Sequence, residues 1–187
     1  MKAFLIASIF VLVFCSFGAF AEPPAENANW NFEIVSQGQA AGWKQNPEYP
    51  YDRIEITGDA HQGSNSAVTL LFENANPEAQ AHYYCESELK PEQENLTVGL
   101  WAKGSGRLSL LAYVYSVEDG QEKFQSSVSF RLEESPGTGS VEVATEWTEH
   151  FFTLPAGDLP QQPFSLRLVL AARGSVSVDD IAVTGER

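Results

Sequence analysis

Leu96-Thr97-Val98-Gly99-Leu100-Trp101-Ala102-Lys103 and, a few residues on, Leu108-Ser109-Leu110-Leu111-Ala112-Tyr113-Val114-Tyr115 decide the fold. In both, aliphatic residues take every second place, the period of a half-buried antiparallel strand. The same alternation recurs in Ser126-Ser127-Val128-Ser129-Phe130-Arg131-Leu132, in Phe164-Ser165-Leu166-Arg167-Leu168-Val169-Leu170-Ala171 and around Val176 and Val178. No window of a dozen residues sustains a helical face. Between these runs stand Gly42, Gly58-Asp59, Gly63-Ser64-Asn65, Lys103-Gly104-Ser105-Gly106, Glu118-Asp119-Gly120, Pro136-Gly137-Thr138-Gly139 and Arg173-Gly174, read as chain reversals. Roughly eight to ten short strands punctuated in this way predict an all-β, antiparallel β-sandwich or jelly roll.

Upstream of the strands, Met1-Lys2, the apolar run Ala3 to Phe14 and the small-residue site Ala19-Phe20-Ala21 read as a secretory signal peptide cleaved after Ala21. The run is shorter than the ~20 apolar residues a membrane span needs, and Pro23-Pro24 ends any helix at the cleavage site. A lipid anchor at Cys15 is disfavoured by bulky Phe14 before it. The expected organisation is a signal peptide over 1–21, a polar leader over 22–29 and a single domain over 30–187, in a secreted or periplasmic protein. The whole chain carries a formal charge of −14. That argues against nucleic acid and anionic membranes as partners, because both need a basic footprint. Without its signal peptide the chain keeps Cys85 alone, so no internal disulfide is expected, and Cys85 reads as a small buried hydrophobe. The histidines, His61, His82 and His150, lack zinc-ligand spacing.

Several marks in order carry a family resemblance. They are Asn31-Phe32-Glu33, Gly42-Trp43, Gly63-Ser64-Asn65-Ser66-Ala67-Val68, Val98-Gly99-Leu100-Trp101-Ala102-Lys103-Gly104, Trp147 before Phe151-Phe152, and Val178-Asp179-Asp180-Ile181-Ala182-Val183. Together they resemble the jelly-roll carbohydrate-binding modules of families four, nine and twenty-two, within the galactose-binding-domain-like group. The resemblance implies a polysaccharide or other glycan as partner. It also implies a structural Ca2+ tying the first strand to the last, with Glu33 and either Asp179 or Asp180 as ligands and carbonyls from the 58–64 turn. Trp43 and Trp147 fall where it implies packing.

Sugar binding needs aromatic faces beside polar groups, since pyranose C–H patches stack on rings while hydroxyls seek donors and acceptors. Alternation puts Trp101, Tyr113, Tyr115, Arg131 and Arg167 opposite the aliphatic sets of their strands, so these are the candidate ligand residues. Trp101 has a second reading, as a ring covered by a loop. Tyr49, Tyr51, Tyr83 and Tyr84 either line a site or plug the end of the sandwich. Two or more exposed aromatics in line on one sheet favour a glycan site; none favours a structural or adhesive envelope protein. A jelly-roll glycoside hydrolase or lyase is disfavoured. Glu86/Glu88, Glu92/Glu94 and Glu133/Glu134 border turns or loops, and no nucleophile elbow or His/Cys dyad is present. With no hydrophobic or heptad seam, a monomer is expected.

Overall fold

The structure, a computed structural model, describes residues 29–76, 78–89, 95–118, 120–135, 137–159 and 164–185. The expected signal peptide, its cleavage site, Cys15 and the Glu92/Glu94 pair lie outside the described residues, as does the leader up to residue 28. The strands are β1 (Val35–Ser36), β2 (Gln39–Ala40), β3 (Trp43–Gln45), β4 (Arg53–Thr57), β5 (Ala67–Phe72) and β6 (Ala81–Cys85). They continue with β7 (Leu96–Glu118), β8 (Gln121–Ser129), β9 (Arg131–Leu132), β10 (Ser140–Val143), β11 (Thr148–Leu154) and β12 (Phe164–Thr184). Among the described residues no helix is long and apolar enough to cross a membrane.

Two strands organise everything else. β7 and β12 pair antiparallel from Phe164↔Ser116 to Thr184↔Thr97. One end of this ribbon carries β8 beside β7, and β6 then β3 beside β12. Its other end carries β11 then β9 beside β7, and β5 then β4 beside β12. The ribbon thus belongs to two sheets, which face each other across one core. Leu96, Val98, Leu100, Ala102, Leu108, Leu110, Ala112 and Val114 of β7 are sealed against Leu166, Leu168, Leu170, Ala172, Val176 and Val178 of β12. Each such large aliphatic side chain contributes about 1.5–3 kcal/mol on burial, so the alternation seen in the sequence is itself the main driving force. The architecture is the predicted antiparallel β-sandwich of jelly-roll type.

Lys103-Gly104-Ser105-Gly106 and Arg173-Gly174 do not reverse the chain. Both β7 and β12 run straight through them, with Gly104 opposite Val176 and Gly106 opposite Gly174. These glycines sit at core-facing positions where the ribbon passes from one sheet to the other. A Cβ on Gly104 would lie 2.1 Å from the Ser175 carbonyl oxygen, and one on Gly106 would lie 2.0 Å from that of Arg173. Glycine is needed for close approach of two backbones, so the punctuation marks a corner and not a turn.

The N-terminal segment closes one end. Asn29, expected in the leader, is buried; its Nδ2 donates to the Ile34 and Ala41 carbonyls, and its Oδ1 accepts the Ile34 N–H. Trp43 is buried as expected, among Trp30, Phe32 and Tyr83 at centroid distances of 5.2–5.9 Å. Cys85 is also buried, and no disulfide forms among the described residues.

Candidate functional site

The face of β8-β7-β12-β6-β3 turned away from the core carries a continuous run of rings. Tyr49, on the loop before β4, stacks on His82 of β6 at 4.5 Å. His82 and Tyr84 both meet Tyr113 of β7, at 5.9 and 5.8 Å, and Phe124 of β8 meets Tyr113 and Tyr115 at 5.6 and 5.8 Å. Between β6 and β7 strand β12 offers only small or aliphatic outward residues, Val169 and Ala171, before Arg167. Arg167 lies over the Tyr115 ring at 4.7 Å, a cation–π contact, and donates to Glu122, which also accepts from Ser165 Oγ at 2.6 Å. Lys44 and Glu86 form a second ion pair beside Tyr84.

Exposure is graded along the run. Tyr49 and Phe124 at its two ends are 47 % and 54 % exposed, Tyr84, Tyr115 and Arg167 are half-buried, and Tyr113 is 6 % exposed. Tyr113 is therefore the floor of this face, wedged among its neighbours, and burial pushes its phenol up to about 12. Its hydroxyl lies 2.6 Å from Asn46 Nδ2 and 2.7 Å from His82 Nδ1.

Of the residues that alternation singles out, the structure unites Tyr113, Tyr115 and Arg167 here and puts the other two elsewhere. Trp101 lies on the outer face of the opposite sheet, paired with Asp179 of β12 and Glu149 of β11. His61, on the loop after β4, stacks flat on it at 3.8 Å, so the covered-ring reading of Trp101 describes the molecule. Trp147 is half-buried in the same cluster, edge-on to His61 and beneath Lys103 at 4.8 Å; it is not a core residue. Arg131, on β9 of that sheet, is exposed and pairs with Asp158 at 2.5 Å. Alternation says which side of a strand a residue takes, but not which of two sheets owns the strand. Sequence reasoning misses His82 and Phe124 as members of this face: His82 has no metal-ligand spacing to mark it, and Phe124 sits in a polar stretch. Tyr49 and Tyr84 line the face, whereas Tyr51 and Tyr83 are buried.

The expected metal residues gather around the 58–66 loop. Glu33 accepts the N–H groups of Asn65 at 2.5 Å and Ser66 at 3.0 Å, and these bonds hold its carboxyl below the usual range. Asp179, fully buried, accepts the His61 N–H at 2.8 Å, and desolvation raises its pKa. Asp180 lies 2.9 Å from His61 Nδ1, and Ser64 Oγ reaches both aspartates, at 3.2 and 3.3 Å. Successive strand residues ordinarily face opposite ways. Here a bulge between Asp179 and Ala182, with Asp180 at φ 46°, turns both carboxylates to one loop. The loop presents N–H and hydroxyl donors to these carboxylates. Among the described residues no group of three or more acidic, histidine or cysteine side chains converges as a metal cluster. As arranged, the three carboxylates tie the chain ends to the loop directly.

Comparison with solved structures bears on the fold. The chain is similar to the family 11 carbohydrate-binding module of the cellulosomal cellulase Lic26A-Cel5E of Clostridium thermocellum, at TM-score 0.51 and 12% identity over 83% of this chain and 91% of that one. It is similar to the enzymatically active domain of tailspike protein 4 of bacteriophage CBA120, at TM-score 0.51 and 12% identity over 83% of this chain. It spans only 21% of that tailspike chain. The CBM22-1 xylan-binding domain of Paenibacillus barcinonensis Xyn10C aligns at TM-score 0.45 and 13% identity, over 82% of this chain and 89% of that one. No family model matches the sequence, and no curated protein matches it. The molecule therefore has a carbohydrate-binding-module-like jelly-roll fold, and the fold alone leaves function to the site.

Proposed function

We propose that this protein is a secreted, non-catalytic carbohydrate-binding module that takes a poly- or oligosaccharide on the Tyr49–Tyr84–Tyr115–Phe124 face. The observation that carries this reading is the run of rings on one sheet face, open at both ends, with the Arg167–Glu122 pair beside Tyr115. Rings supply stacking surface for sugar C–H patches, and the guanidinium and carboxylate supply donors and acceptors for hydroxyls. The cations of the face are already paired with carboxylates, which favours a neutral glycan over an anionic one. Non-catalytic status is supported by the same pairs: Glu86 and Glu122 are held by Lys44 and Arg167, whereas hydrolysis needs two carboxylates facing across the scissile bond.

The test is calorimetric titration with β-1,4-linked hexasaccharides of glucose, xylose, mannose and galactose. Binding that Arg167→Ala and Tyr115→Ala each reduce by tenfold or more (~1–3 kcal/mol per lost charged or stacked contact), while Arg131→Ala leaves it unchanged, supports the face as the site. Failure of all four sugars to bind would return the structural or adhesive reading.

Structural calcium is a separate proposal on the Glu33, Asp179 and Asp180 carboxylates. They are the right chemistry for a hard cation, but they would have to turn from the loop's N–H donors toward one point. A thermal midpoint lowered by chelator in the parent and indifferent to chelator in Glu33→Ala supports the ion; a midpoint unmoved by chelator in both removes it.

A further inference from the structure

His82 stands at the open end of the aromatic face, and its neighbours determine which of its nitrogens carries hydrogen. The chain of donors starts in the backbone. Glu48 N–H donates to Asn46 Oδ1 at 2.9 Å, which fixes the amide orientation and leaves Nδ2 toward Tyr113. An amide NH2 only donates, so the Tyr113 oxygen is an acceptor from Asn46 at 2.6 Å. The phenol hydrogen is then directed to His82 Nδ1, 2.7 Å away. An accepting Nδ1 places the imidazole hydrogen on Nε2. That atom makes no hydrogen bond among the described residues, and His82 itself is only half-buried.

The arrangement is held from both sides. The His82 N–H donates to the Tyr49 carbonyl at 2.8 Å, and the Asn46 N–H donates to the His82 carbonyl at 2.9 Å. The loop bearing Tyr49 is thus stitched to β6 while its ring lies against the imidazole.

We infer that His82 is a specificity-determining residue of the proposed glycan face, donating Nε2–H to a sugar hydroxyl next to the ring stacked on Tyr49. This rests on the reading of that face as a glycan site. Protonation would put a second hydrogen on Nδ1, against a phenol that already accepts from Asn46 and whose own hydrogen then has no place in its buried surroundings. Burial independently holds the His82 pKa below the ordinary histidine value. The charged groups around the ring are already engaged. Lys44 on β3 pairs with Glu86, Arg167 on β12 pairs with Glu122, and Arg173 on β12 donates to the carbonyls of Asn74 and Asn76. Of the tyrosines on this face, Tyr113 and Tyr115 have phenols that burial pushes above the ordinary value. The hydrogen-bond relay and burial, and not one counter-charge, set the state of the ring.

Two measurements on the whole protein test this. Long-range 15N–1H correlation on the free protein is expected to show His82 protonated at Nε2 alone, with the preference relaxed in Tyr113→Phe; Nδ1 protonation in the parent would overturn the inference. Titration with cellohexaose and xylohexaose at pH 7.5 is expected to show binding of at least one of the two by the parent. His82→Phe, which keeps the stack on Tyr49, is expected to bind about fivefold more weakly, as for one neutral hydrogen bond. Sugar binding that Arg167→Ala abolishes but His82→Phe retains at full strength would overturn this inference alone. No binding of either sugar by the parent would overturn the face as well.

Discussion

The two outer faces of the sandwich carry similar materials to different ends. One has His82 with Tyr49, Tyr113, Tyr115 and Phe124; the other has His61 with Trp101, Trp147 and Lys103. What separates them is the loop beside each histidine. The 58–66 loop is drawn over its sheet by three carboxylates, so His61 lies flat on Trp101 and closes it. The loop bearing Tyr49 is bonded edgewise to β6 through backbone groups, so its rings stay available along the sheet. An aromatic residue on an outward strand position becomes a platform or a packed residue according to which loop is anchored across it.

The largest expected effect removes the comparison altogether, because both faces hang from the corner of β7 and β12. Gly106→Val places a side chain against the Arg173 carbonyl oxygen, which would lie 2.0 Å from the new Cβ. A loss of about 3 kcal/mol or more is expected, as for overpacking joined to backbone strain. Urea unfolding measures it, and a near-neutral result would mean the ribbon is not closely packed at that point.

Untying one face alone should sharpen the contrast. Asp179→Ala removes the acceptor for the His61 N–H and is expected to cost about 2 kcal/mol, the range for a buried hydrogen bond to a charged group. Tryptophan emission should shift to the red as Trp101 is uncovered, while glycan binding on the other face stays as in the parent. Unchanged emission would show that the aspartate does not hold the loop closed.

The smallest effect is a slope. His150, on β11, is buried with neither ring nitrogen hydrogen-bonded among the described residues, and burial lowers its pKa. A histidine with a folded pKa below its unfolded value of about 6.5 binds fewer protons when folded. Its contribution is full above pH ~6.5 and is lost as pH falls toward the folded value, at up to about 1.4 kcal/mol per pH unit. Asp179 works in the opposite sense at lower pH: its raised pKa makes the folded state take up a proton first, which favours folding as pH falls through the carboxylate range. Denaturant midpoints of His150→Leu between pH 7.5 and 5.5 should decline less than those of the parent, and an identical decline would remove His150 as a source of acid sensitivity.

Much of the fold was legible because alternation is a local property. The even-numbered aliphatics of β7 and β12 are the residues that seal the core, and Trp43 packs where the resemblance implies. The glycines of 103–106 and 173–174 are visible in the sequence but point there to turns. A glycine that permits a turn and one that permits close backbone approach look alike until the partner strand is known. At the site, Tyr113, Tyr115 and Arg167 are legible through their side of the strand. Trp101 and Arg131 pass the same test on strand segments of the other sheet, and His82 and Phe124 have no local pattern to mark them.

By itself the amino-acid sequence determined the strand class and the buried set of β7 and β12, since each depends on residue type and spacing along the chain. Only the tertiary structure decided which outward residues share a face, which ring a loop covers, and that both Asp179 and Asp180 address one loop. Those outcomes depend on pairing between residues far apart in sequence, such as Tyr113 with His82 and His61 with Asp179. Strand order, register and a single bulge set those pairings, and none of the three is encoded in the period of a strand.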